Sequence, residues 1–62
     1  MKVEQVAKGH VVEHPYATGV RVIVERKQQR GTGPYEVSGY YVDDPRTQVG
    51  FVVNTGTDLA LR

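Results

Sequence analysis

Two histidines, one serine, a pair of adjacent aspartates and a glycine doublet are where this 62-residue sequence could hold catalytic or ligand-binding chemistry. His10 and His14 are four residues apart. On a strand that spacing points both rings the same way but leaves them roughly 13 Å apart, too far to share one ion. Only a helix would bring them together, and Gly9 and Pro15 bracket the pair against one. The spacing therefore predicts solvent-facing or turn-capping histidines and no metal site. Ser38, the one serine, falls in mid-strand by pattern and reads as a strand hydroxyl, away from a turn that would present a nucleophile. Asp43 and Asp44 precede Pro45, which is ordinary turn chemistry, and neighbours on a strand face opposite ways. Gly31-Thr32-Gly33 is a fragment of a phosphate loop, but the full motif opens a helix and here a strand-like segment follows. No cofactor and no catalytic set are expected. A chain of this length would also struggle to enclose a dry pocket of the usual few hundred cubic ångströms.

Binding residues are easier to find. Arg26, Lys27 and Arg30, spaced by Gln28 and Gln29, form the one clear positive cluster. Charge at a hairpin end commonly protects an edge strand from strangers, while Arg and Gln together also suit phosphates and base edges. Four tyrosines and one phenylalanine stand in a chain with one isoleucine and two leucines. Strand parity sends Tyr35, Tyr41 and Phe51 towards a core with Val20, Val22 and Val24. Tyr40 falls on the opposite side with Ile23, Val42 and Val52, among Arg21, Glu25, Glu36 and Ser38. Half apolar, half charged and anchored by an aromatic ring, that side has the make-up of a protein interface.

The elements that must position these residues are almost all β. Twelve valines stand against two leucines, and valine, stiff at its β-carbon, packs best on a pleated surface. Gly19 to Gln28 alternates Val20, Val22 and Val24 with Arg21, Ile23 and Glu25, which predicts a strand with one apolar face. Arg30 to Pro34 predicts a turn, and Tyr35 to Val42 the returning strand, with Gly39 marking a bulge or bend. Asp43 to Gln48 reads as a second turn and Val49 to Val53 as a third strand of an antiparallel meander. Asn54 to Asp58 is a further turn cluster, after which Leu59 and Leu61 supply a short edge strand. Residues 1–14 are ambiguous: Val3, Val6, Ala7 and Val11 sit at helical spacing, yet Gly9 and the β-branched residues favour a strand bent at Gly9, with His10 to Glu13 its better half. About five short strands suit a small SH3-like or OB-like barrel, or a curled sheet completed by dimerisation.

Length and composition set the bounds. Sixty-two residues make one small domain, which buries roughly 60% of the surface of its unfolded chain and is marginally stable. The chain has no cysteine, so neither a disulfide nor a thiolate zinc site staples it, and a partner or a second copy is a natural source of stability. The absence of cysteine and of an apolar segment after Met1 fits a reducing cytoplasm. The longest apolar runs are three residues, far short of the roughly 20 needed to span a bilayer, so no membrane association is expected. Eight Lys and Arg oppose seven Asp and Glu, too even a balance to advertise nucleic acid by itself.

Two functions follow as expectations. The first is a non-enzymatic protein-binding module, docking through Ile23, Tyr40, Val42 and Val52 on another protein or on itself as a homo-oligomer. Such a chain would suit a phage or plasmid factor that adapts or inhibits a larger machine. The second is a small β-barrel nucleic-acid binder, with Arg21, Arg26, Lys27 and Arg30 on phosphates and Tyr40 stacked on a base. The fold and function questions meet at Tyr40, since a closed barrel, or an N-terminal segment folded over that side, would use up the surface that an open sheet leaves for a partner.

Overall fold

Val22 and Val24 are fully buried while Ile23 between them is half-buried and Arg21 and Glu25 on either side are exposed, the outcome that their alternation dictates. The computed structural model describes residues 1–62. A single 3-10 turn at Val3–Gln5 is followed by strands β1 (Val11–Glu13), β2 (Arg21–Gln29), β3 (Tyr35–Tyr41) and β4 (Asp44–Val53). The strands form one antiparallel sheet in the order β1-β2-β3-β4. Each is joined to the next by a short connection, so the meander expected from the turn residues is present.

The inner face carries Val12, Val22, Val24, Val37, Val49, Phe51 and Val53, with Tyr35 and Tyr41 packed against them. Val3 and Val6 from the N-terminal segment and Leu59 from the C-terminal segment complete this core. The two terminal segments are tied together over the inner face. The Val3 N–H donates to the Thr57 carbonyl at 2.8 Å, the Leu59 N–H to the Met1 carbonyl at 2.7 Å, and the Gly56 N–H to Glu4 Oε2 at 2.8 Å.

A bulge in β2 bends the sheet. Val24 pairs with Gly39 and Arg26 with Ser38, which leaves Glu25 as the extra residue. Opposite the bulge only glycine fits: a β-carbon on Gly39 would lie 1.9 Å from the Ile23 carbonyl oxygen. The bend that Gly39 announces in the sequence is thus made by its partner strand.

Four expectations are corrected. The sheet has four strands and not about five, because Leu59–Arg62 runs beside β1 for only one bridge, Val12 to Leu61, with the Glu13 and Arg62 N–H groups bonded across it. It is not closed into an SH3-like or OB-like barrel, because the outer edge of β4 is paired with no strand. Of the strand expected to bend at Gly9, the better half is present as β1 at Val11–Glu13, but the residues before Gly9 hold a 3-10 turn instead of a strand. With Val3 and Val6 both buried, a single tight turn lets two residues three apart reach the core, and extended backbone resumes at Val6. Finally, β4 starts at Asp44 rather than Val49, since Val42 and Asp43 alone suffice for the reversal. Pro45 is compatible with β4 because this is an edge strand.

Candidate functional site

The sheet's outer face is built by parity. Ladder pairs place Val11 beside Ile23, Ile23 beside Tyr40, and Tyr40 beside Gln48, so one row crosses all four strands with a half-buried apolar stretch from Val11 to Tyr40. Val42 adjoins this row, its N–H donating to the Arg21 carbonyl at 3.0 Å. The terminal side chains that enter the core, Val3, Val6 and Leu59, all pack on the inner side, and Ile23, Tyr40 and Val42 stay half-buried on the outer face.

Next to that row the bulge opens a groove of about 640 Å³. Its floor is the backbone at Gly39, Val49 and Gly50, where the missing side chain of the exposed Gly50 lets a ligand approach the sheet. Tyr40 forms one wall, Ser38 and Gln48 contribute hydroxyl and amide groups, and Lys8, Arg26 and Glu25 supply the charges. A second hollow of about 230 Å³ lies at the far end of the face, between Gln28, Arg30, Pro34, Glu36 and Val52.

The residues singled out in the sequence are therefore divided. Arg21, Ile23, Arg26, Tyr40, Val42 and Val52 share the outer face, and Ile23 and Tyr40 are direct cross-strand partners. Val52 is half exposed but sits beside Glu36, four residues along β3 from Tyr40, so it belongs with Arg30 to the far end. Lys27 is on the inner side. The bulge shifts parity after Val24, pairing Lys27 with Val37, and its ammonium donates to the Val3 and Glu4 carbonyls at 3.1 and 2.8 Å while lying 5.3 Å from the Tyr35 ring centroid. The basic cluster of the sequence is thus split, with Arg26 out and Lys27 in.

Arg21 is engaged as well, its guanidinium 3.1 Å from Asp43 Oδ1 in an exposed pair. Arg62 and Glu13 form a similar pair at the β1 end. These pairs neutralise one flank of the apolar row and leave Arg26, Lys8 and Glu25 as the charges at the groove.

Lys8, Gln48 and Gly50 are groove residues that the sequence reading passed over. Gln48 follows from extending β4 to its true start, while Gly50 lies inside the strand that the sequence already predicts. Lys8 has no signal in the sequence, because its place depends on Gly9 docking on β2, where the Gly9 N–H donates to the Val24 carbonyl at 2.8 Å.

The histidines act in turns. His10 Nδ1 accepts the Ala7 N–H at 3.0 Å, and His14 Nδ1 accepts the Tyr16 N–H at 3.1 Å. The His14 ring also packs on Phe51 with centroids 5.1 Å apart. No group of three or more His, Asp or Glu side chains converges closely enough to hold a metal ion, and no helix is long and apolar enough to cross a membrane. No protein-family model, curated protein or solved structure matches the chain.

Proposed function

We propose that this chain is a protein-binding module that docks a partner protein on its outer sheet face, around Ile23, Tyr40 and Val42. One observation carries the reading: the core-forming side chains of both terminal segments pack on the inner face, so an apolar stretch from Val11 through Ile23 to Tyr40, with an aromatic ring in it, stays partly exposed on the outer face. Tyrosine in a partly apolar setting supplies large rigid contact area at low entropic cost, the usual make-up of an interface anchor. The groove beside it gives the partner's chemistry. An apolar side chain against Tyr40 and Ile23, with a carboxylate reaching Arg26 and Lys8, would match the face in both hydrophobicity and charge. Binding rather than catalysis is the role, and adaptor or inhibitor of a larger assembly is the form it takes.

Immobilised chain and its Tyr40→Ala variant, both shown folded by circular dichroism, test this against extract of the encoding cell. A protein retained by the wild type and lost with Tyr40→Ala supports the reading, and equal retention contradicts it. Arg26→Glu should slow association more than it speeds dissociation, since an exposed charge acts mainly on encounter.

A second reading is favoured by the placement of Lys8 beside Arg26 and Tyr40 over a glycine floor, which would also suit single-stranded nucleic acid. It ranks second because Lys27 is held on the other side and Glu25 and Glu36 share the face. Retention of oligonucleotide that falls steeply with salt would bring it forward.

A further inference from the structure

The direction of every backbone group in β4 can be worked out from the bonds on either side of it. The Val42 N–H donates to the Arg21 carbonyl, so even-numbered residues of β3 turn their backbone groups towards β2 and odd-numbered ones towards β4. Through the pairs Val37 with Phe51 and Gly39 with Val49, the odd-numbered residues of the regular stretch of β4 from Gln48 to Val53 bond to β3. Gln48, Gly50 and Val52 then point their N–H and C=O groups away from the sheet. The Val52 carbonyl accepts the Tyr16 hydroxyl, as this direction requires, and no other group of the chain reaches that edge.

A free edge is a template for another strand unless charge or proline guards it. The sheet has a second open edge, along β2 beyond its bulge, and Glu25, Arg26 and Lys27 guard that one. Along β4 the residues Gln48 to Val53 are uncharged, and Pro45 and Arg46 stand before them.

We infer that β4 pairs with β4 of a second copy, antiparallel about a two-fold axis at Gly50, to make a continuous eight-stranded sheet. The identity of the occupant follows from self-complementarity. An axis at Gly50 puts Gln48 opposite Val52 of the second copy and Val49 opposite Phe51, so no charges meet along the paired stretch and apolar residues extend the core across the seam. Gly50 at the axis has no side chain to hold the strands apart. Tyr16, 70% exposed, releases the Val52 carbonyl to the Gln48 N–H of the second copy. Gly50 also floors the Tyr40 groove, so the two grooves of the dimer meet at the axis. This pairing uses the sheet edge and goes beyond the docking reading of the Tyr40 face, which stands or falls separately.

The 62-residue chain is short enough for chemical synthesis, which allows Gly50 to be replaced by N-methylglycine, removing one outward N–H and nothing that bonds to β3. Sedimentation equilibrium up to millimolar chain should give twice 6.9 kDa for the native chain and raise its dimer dissociation constant at least about tenfold for the N-methyl chain, whose circular dichroism is unchanged. In a dimer of mixed isotope labelling, an intermolecular contact between the Val49 and Phe51 α-protons should appear, as these form a close non-hydrogen-bonded pair. A native chain that stays monomeric, an N-methyl chain that dimerises equally well, or a dimer lacking that contact would each overturn the inference. Tyr40→Ala should leave this dimer intact, which separates it from the docking face.

Discussion

At Lys27 the ammonium donates to the Val3 and Glu4 carbonyls and lies over the Tyr35 ring, while its neighbour Arg26 points into the groove on the opposite face. Lys27→Met should therefore lower stability by about 1–2 kcal/mol, a fall in Tm of several degrees for a domain this size, as the charged bonds to the Val3 and Glu4 carbonyls and the contact with the Tyr35 ring are lost. Arg26→Met should stay within about 0.5 kcal/mol of the native chain, as expected for an exposed position. Thermal unfolding of the two variants checks both, and equal effects would contradict the assignment. Gly39 is the other decisive single residue. Gly39→Ala places a β-carbon 1.9 Å from a backbone oxygen that cannot swing aside, so a loss of roughly 3 kcal/mol or failure to fold is expected in denaturant titration. Gly50→Ala is the control, since its β-carbon meets nothing nearer than 3.6 Å. The parity of Val22, Val24, Val37 and Phe51 was legible from the chain alone, because period-2 alternation with β-branched residues leaves little choice. Lys27 was not, because a one-residue bulge at Glu25 reverses every later side chain of β2 and nothing local announces on which strand it will fall.

The termini are the elements on which the open sheet depends. The 3-10 turn at Val3–Gln5 and the segment Leu59–Arg62 contribute Val3, Val6 and Leu59 to the core while holding almost no regular structure of their own. Leu59 is 1% exposed, and Leu59→Ala should cost about 2–5 kcal/mol. A domain of this length has only a few kcal/mol in hand, so the variant should be largely unfolded at 37 °C by circular dichroism. Retention of a cooperative transition near the native Tm would show that the C-terminal segment is not part of the core. These segments were hard to read for a physical reason. Their placement comes from long-range bonds such as Val3 to Thr57 and Met1 to Leu59, whereas the β2–β3 hairpin is specified by a short turn between two alternating strands. Helical spacing of Val3 and Val6 was a true signal of two residues on one side, satisfied by a single turn.

For the whole molecule, covering the inner face of the sheet and leaving the outer face partly exposed is the arrangement that links fold to function. A closed barrel would enclose the face that carries Val22, Val24 and Val37; the chain instead covers that face with side chains of its terminal segments, and Tyr40 lies on the other. The candidate site was half legible: Ile23, Tyr40 and Val42 follow from strand parity, but Lys8 and Gln48 join them only through the fold of the N-terminal segment and the full length of β4. The most direct test of the docking face is site-specific photocrosslinking in the encoding cell, with benzoylphenylalanine in place of Tyr40, and in place of Thr55 in the exposed turn after β4 as the control. The docking face predicts one dominant protein adduct at position 40 and none at position 55. Adducts that are equal at both positions, or that vanish with nuclease, would contradict it.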